Sequence, residues 1–503
     1  MGRAKLRLTR LELLDFSKGY FPNKDFDDIP KGGSSDCRHV IYYQSALRKM
    51  FGMDLVNAAQ AATLRGNGLF YLDVLGTTAR AAVFGTGFYE DVAGVWTART
   101  GAVTITDAAA NLWQFINHQQ GANRFLIGVN GVDVPIKWTG AGNAAVLAGS
   151  PQIFTSIAQY HNTTFGSIQE NVDYSDTGDP ETWNSTKWRI PFEKTVTRVI
   201  NHGQKLAVFM ADRTASISGF DYLDFVAEHS EIPNVGCVGR LAACNAFFGK
   251  NKIPVIATVS KDGVWLIDQS FGTTKLFGDE FFFDFNQANL SKSVCAYSDI
   301  DRLLYVALPK DSTECDYLMV VDMETGALWP CSSIHTNSIR SMASCRDNNG
   351  NEFIYFVDTN GYAFKFNRVT TNYHTGTATQ AIDARWKSRK YDLKDVHQMR
   401  WPMLLADADG DWNVTMSLAF GLTAADGTTG TINLQDDSDL LGTTFAFGAS
   451  ALGGSDYVFK TAAIGGFGRF LAVSFSNAVL SQSFNIKKCE LQLKRRRMGG
   501  NDK

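Results

Sequence analysis

The sequence predicts an all-β protein: a β-propeller of six or seven blades, an N-terminal segment before it and an additional C-terminal β domain after it. Three observations lead there. The 503 residues include 45 Gly, 35 Phe and 10 Trp but only 11 Pro, which suits many tight turns between aromatic-rich strands. Six segments share one plan, an apolar run of strand length, a turn, then a second run. One turn residue from each (Asn130, Glu170, Asp212, Asp262, Asp311, Asn360) recurs at intervals of 40, 42, 50, 49 and 49 residues, a spacing that matches propeller blades.

Taken in chain order, residues 1–65 form an N-terminal segment. It mixes a polar loop, PNKDFDDIPKGGSSD, with a stretch that reads as a short helix, YYQSALRKMF. The propeller spans 66–375. GLFYLDVLGTTARAAVFG is a seventh, less regular unit, and ITDAAANLWQFINHQQ reads as helix by composition. The six regular units are RFLIGVNGVDVPIKW, NTTFGSIQENVDYS, KLAVFMADRTASISGF, PVIATVSKDGVWLID, RLLYVALPKDSTECDYLMVVD and EFIYFVDTNGYAFKF. Three turns carry Asn130-Gly131, Asp262-Gly263 and Asn360-Gly361, pairs that tolerate the two positive φ angles of a type I′ hairpin. YLMVVDMETGALWP adds a second hairpin inside one unit, which points to four-stranded blades. A β-sandwich or a β-helix competes, but sandwich strands would spread over fewer residues and β-helix coils repeat at about 20 residues. From 376 to 503 the period fades, and strand-like runs (QAIDARWKSRKYDL, QMRWPMLLAD, NVTMSLAFG, FLAVSFS, SFNIKKCELQLK) alternate with Gly/Thr/Ala-rich loops before a basic tail.

Charge and composition exclude several classes. Hydrophobic residues are 45% and charged residues 20%, too apolar for long disorder. Lys plus Arg number 48 against 51 Asp plus Glu, a net charge of −3, so no overall basic excess pulls the chain onto nucleic acid. The basic clusters are terminal: Arg3, Lys5, Arg7 and Arg10 at one end, Lys494-Arg495-Arg496-Arg497 at the other. Such runs are usually solvated; the functional reading is an acidic partner or phosphate. No apolar run approaches the roughly 18 residues of a membrane span, and the start lacks the pattern of a secretory signal. The eight cysteines form no Cys-x-x-Cys pair and read as buried free thiols of a reducing cytoplasm.

Signatures of catalysis do not appear. Gly249-Lys250 is followed by Asn251, so no phosphate loop forms, and neither a Gly-x-Ser-x-Gly elbow nor a His-Glu-x-x-His pair is present. The expectation is a protein with no catalytic residues and no cofactor. Asp407, Asp409 and Asp411 alternate as in a calcium loop, but Trp412 and Leu418 stand where Gly and Glu belong; a solvated turn explains them as well. YSDTGDPETW approaches the Asp-box of sialidase-like propellers with the wrong spacing.

Three stretches, taken together, resemble the tail hub or nozzle proteins of short-tailed, podovirus-type bacteriophages. The first is GGSSDCRHVIYYQSALRKMFG, departing from the family at Arg48 and Lys49 where Gly is expected. The second is LWQFINHQQGANRFLIGVNGVDVPIKWTG, with Trp113, Phe115, Asn130, Gly131, Asp133 and Pro135 in the family's order. The third is TTFGSIQENVDYSDTGDPETWN, with Tyr174, Ser175, Gly178, Asp179, Pro180 and Trp183 matching a recurring blade turn. The resemblance implies a structural virion protein, made in the host bacterial cytoplasm. It would form a homohexameric ring below the portal and adaptor proteins and carry tail fibres or tailspikes. The ring would retain packaged DNA and conduct it without sequence specificity. A carbohydrate-active or protein-binding propeller is the alternative. For the motif residues themselves, core anchoring and turn formation are sufficient roles.

Overall fold

The computed structural model describes residues 8–496 apart from 23, 26–27, 58–63, 75, 121–122, 150–151, 185–187, 222, 332–337, 408–411, 422–426, 435–456 and 462–463. Its regular secondary structure is nearly all strand, with two short 3-10 helices at Asp279–Asp284 and Gln287–Lys292. Seven small antiparallel sheets follow one another along the chain and make a seven-bladed propeller. Six have four strands, and the third has five.

The six regular repeats are the second and third strands of blades 2 to 7. The seventh looked irregular for a plain reason: GLFYLDVLGTTARAAVFG covers the first and second strands of blade 1, Gly66–Val74 and Thr77–Phe84. The turn equivalent to the others, Gly85-Thr86, lies 45 residues before Asn130, so the period runs through the whole propeller. YLMVVDMETGALWP supplies the third and fourth strands of blade 6, Tyr317–Asp322 and Leu328–Pro330.

The last blade is completed by the start of the chain. Its first three strands are Ile339–Arg346, Glu352–Asp358 and Ala363–Asn367, and its outer strand is Gly52–Leu55, paired Phe364 to Leu55 through Asn367 to Gly52. Residues 1–65 are therefore not a unit apart. Residues Gly52–Leu55 belong to blade 7, and four earlier strands enter the second body of the molecule.

That second body is an 11-stranded, nearly closed barrel-like sheet. From the C-terminal region come strands that include Ala384–Ser388, Tyr391–Asp407, Asn413–Ala419, Phe467–Asn477 and Asn485–Arg495. Leu8–Leu13 pairs with the last of these, Leu8 opposite Lys494 through Leu13 opposite Cys489. Phe16, Trp386 and Phe475 pack at its centre, with Phe16 edge-on to Trp386 at 5.1 Å and Trp386 stacked on Phe475 at 5.8 Å. One continuous apolar cluster joins this barrel to blades 6 and 7, through residues such as Trp329, Phe356 and Phe366. The Tyr20 N–H donates to the Leu328 carbonyl at 2.9 Å. Gly19 allows that approach: at φ +75° a Cβ there would sit 2.7 Å from the Leu328 nitrogen.

Two segments expected to be helical are not. YYQSALRKMF is a hairpin of Val40–Tyr43 and Ala46–Lys49, because Val40, Ile41, Ala46 and Leu47 bury into the barrel. Its turn residues Gln44 and Ser45 have φ of 50° and 62°, the two positive angles of a type I′ turn. ITDAAANLWQFINHQQ is an irregular stretch followed by the innermost strand Gln114–Gln120 of blade 2. The Asn-Gly and Asp-Gly turns also differ from expectation. Gly131, Gly263 and Gly361 take positive φ (77°, 149° and 82°), but the Asn or Asp before each does not, so one glycine rather than a pair carries the turn.

Candidate functional site: the central channel

The innermost strand of each blade faces the propeller axis, and side chains on these strands stitch one blade to the next. The Asn117 amide donates to the Tyr71 carbonyl at 3.2 Å, and that of Asn201 to the Gln159 carbonyl at 3.1 Å. The Ser156 hydroxyl accepts from the Val199 N–H at 3.0 Å. Gln114 exchanges two bonds with the Ile157 backbone, donating at 2.5 Å and accepting at 3.2 Å. These bonds join residues 42 to 46 apart in sequence, so the blade period reappears as the reach of the inter-blade contact. The seam between the last and first blades is held by Arg340, fully buried. It donates to the Gly66 carbonyl, the Asn67 side chain and the Ala109 carbonyl, and pairs with Glu314 at 2.6 Å. Burial lowers its pKa.

A cavity of about 400 Å³ occupies the axis, walled by the first strands of blades 1, 2, 4, 6 and 7 and by Leu241–Asn245 of blade 5. Phe70, Phe115 and Met342 are part of its apolar wall; Arg198, Asn117, Asn245 and Asp73 are polar members. Asp73 is the one carboxylate and Arg198 the one basic side chain among its described lining residues.

Arg240 crosses the ring above it. This residue precedes the first strand of blade 5, yet its Nη1 donates to the carbonyls of Leu112 (3.1 Å) and Asn130 in blade 2. Burial pulls its pKa down to about 10. Arg240 thus docks against the Asn130 motif. Buried Asn130 accepts from the backbone of Val132 and Asp133 and donates to the Asp133 carboxylate at 2.7 Å. Asp133 in turn accepts from the N–H and hydroxyl of Thr106. Gly131 leaves room for the guanidinium, since a Cβ there would lie 3.1 Å from Arg240 Nη2. The Pro135 carbonyl accepts from the Leu147 N–H at 2.8 Å, extending the pairing of Ile136–Trp138 with Ala145–Val146.

The remaining motif residues are placed as follows. Trp113 is buried and stacked on Phe115 at 5.9 Å, both beside the cavity. In blade 3, Ser175 is buried and accepts from the Thr164 N–H, while Gly178 turns at φ +78° between Asn171–Asp176 and Asp179–Trp183. Asp179 accepts from the Glu181 N–H and the Thr182 hydroxyl; the Pro180 carbonyl accepts from the Trp183 indole at 2.7 Å. Trp183 packs on Phe154 at 4.8 Å. Blades 2 and 3 therefore hold all of them, but only Trp113 and Phe115 reach the channel. Arg198, Arg240 and Arg340 carry no local signal that sequence reading could have used. Each is a lone cation in or beside a strand run.

Asp407 ends the strand Tyr391–Asp407, opposite Tyr457, and Asp409 and Asp411 lie outside the described residues. No group of three His, Cys, Asp or Glu suited to a metal occurs among the described residues. Arg3, Lys5, Arg7 and Arg497 also lie outside them. The strand pairing brings Arg10 to Glu490, Arg495 to Asp395 at 3.0 Å, and Arg496 over the Phe467 ring at 4.5 Å. All eight cysteines are free thiols, seven of them buried, with Cys244 at intermediate exposure in the cavity wall. No helix among the described residues is long and apolar enough to cross a membrane.

No family model matches this chain, and no curated protein matches it. Solved structures similar to it include the extracellular domain of a protein described as a hybrid two-component system from B. thetaiotaomicron. It is 11% identical at a TM-score of 0.43, over 64% of this chain and 40% of that one. A catalytically inactive virginiamycin B lyase from Staphylococcus aureus with quinupristin is 8% identical at 0.43, over 63% of this chain and 98% of that one. This chain thus spans less than half the length of the first of these.

Proposed function

We propose that the chain is a structural virion protein, a subunit of the tail hub or nozzle ring of a short-tailed bacteriophage. Six copies would sit below the portal and adaptor proteins, retain packaged DNA and conduct it during ejection. The observation that carries this reading is the ordered set of three sequence motifs, which lie in the barrel hairpin, blade 2 and blade 3. The channel geometry is compatible in a specific way. A cavity of about 400 Å³ spanned by Arg240 has no room for a duplex whose major groove alone is about 12 Å wide. DNA would therefore pass between copies, not through a propeller. A net charge of −3 suits a surface that lets a polyanion slide rather than one that grips it.

The experiment is a native mass measurement of the purified chain and of tail particles. The expected result is a ring of six copies and the chain present in tails; a persistent monomer absent from tails overturns the proposal. A protein-binding propeller is a second reading, favoured by an apolar tip on blade 4, where Phe220 and Leu223 are 67% and 79% exposed. It expects partner capture without ring assembly. The carbohydrate-active reading has less support, since a glycosidase needs two carboxylates and the described cavity wall offers Asp73 alone.

A further inference from the structure

We propose that the central cavity is a binding site for a small oxyanion with an apolar body, a carboxylate or phosphate held by Arg198. This is independent of ring assembly. Arg198 stands on the innermost strand Val196–His202 of blade 4, and one terminal nitrogen donates to the Arg240 carbonyl at 2.6 Å. Its Nε is shielded from solvent and has no acceptor. Trp113 of blade 2 lines the same cavity, and its indole N–H is buried without an acceptor. Tyr297 of blade 6 is also in the wall, and its hydroxyl has Arg302 as a charged neighbour.

A guanidinium that lines a cavity without an ion pair among the described residues suits a ligand that brings acceptors. Leaving a buried donor unmade costs more than a made hydrogen bond returns, and a guanidinium fork matches carboxylate and phosphate geometry. The charge balance agrees. Arg198 is not ion-paired among the described residues, and its burial disfavours an uncompensated charge, which a bound anion would balance. Asp73 is the only carboxylate among the described residues of the wall and makes the site less cationic than it could be. Phe70, Phe115 and Met342 offer the apolar body a dry surface, and Arg240 spans the ring from blade 5 to blade 2.

The test uses the full chain with benzoate and with inorganic phosphate as probes, read by ligand-observed NMR titration. Saturable binding is expected, with benzoate preferred over phosphate because the wall offers an apolar surface; a preference for phosphate overturns the apolar part of the proposal. Arg198→Leu should weaken it by about tenfold or more, the value of a charge-assisted hydrogen bond. Asp73→Asn removes a like charge at an exposed position and should tighten binding by about threefold. Thermal melts of each variant report folding. Absence of saturable binding of both probes overturns the proposal, as does binding that neither substitution changes. If Arg198→Leu does not fold, Asp73→Asn decides: no tightening rejects the site.

Discussion

The propeller and the barrel are both antiparallel β structure, yet they are assembled by opposite rules. In the propeller, blades 1 to 6 are each local in sequence, and successive blades touch through bonds such as those spanning 40 and 53 residues. Only the closure of blade 7, with its outer strand and its seam to blade 1, is long-range. In the barrel, the first described strand pairs with the last, and the Arg10–Glu490 contact closes a loop of 480 residues. A repeat architecture lets each unit form with its neighbours, whereas the barrel waits for both ends of the chain. The strand Gly52–Leu55 couples the two, leaving the barrel hairpin directly for the outer edge of blade 7.

The largest expected effect tests whether the two bodies unfold together. Trp386 is fully buried between Phe16 and Phe475, in the cluster that runs on into blades 6 and 7. Trp386→Ala should cost about 3–5 kcal/mol, measured as a shift of the urea midpoint. A single cooperative transition should survive in the variant. A separate early transition with the propeller intact would show that the shared cluster does not couple them.

Next in size is a contrast in pH dependence. In the barrel, Lys49 is fully buried and donates to Asn477 Oδ1, the Val479 carbonyl and the Gln482 carbonyl, with burial pulling its pKa down to about 8. In the propeller, His118 is buried against Phe125 and Thr164, and burial pulls it down to about 4. Both groups bind a proton less tightly folded than unfolded. The His118 contribution is complete above the unfolded value near 6.5 and is lost as pH falls through about 4. The Lys49 contribution is complete above about pH 10 and is lost as pH falls through about 8. His118→Gln should flatten the acid limb of the stability curve and Lys49→Met the alkaline limb, each by about 3 kcal/mol. Calorimetric melts across pH 4 to 10 would show this; identical curves for both variants would remove the contrast.

The smallest effect concerns a single blade seam. Asn201→Ala deletes one bond to the Gln159 carbonyl at an exposed rim and should cost about 1 kcal/mol in the same urea assay. A much larger loss would mean that the seams act as a network rather than bond by bond.

The hairpins of blades 2 to 7 were legible because each is closed by its own turn and buried by its own alternation. The helix expected over YYQSALRKMF was wrong for the complementary reason. Its burial comes from strands more than 300 residues away, and Gln44 and Ser45 give no turn signal of their own. Of the candidate site, Trp113 and Asn130 could be singled out by residue type. Arg198 and Arg240 could not, since their meaning depends on which blade lies across the axis.

The sequence by itself determined the hairpins of blades 2 to 7 and their spacing, because hydrophobic alternation and turn residues act within a few residues. Tertiary structure alone decided that Gly52–Leu55 completes the last blade, that the two chain ends share a barrel, and that Arg240 spans the channel. Those outcomes rest on partners brought together across the fold, where the energy of a buried donor or an unpaired strand edge is set by what faces it and not by what precedes it in the chain.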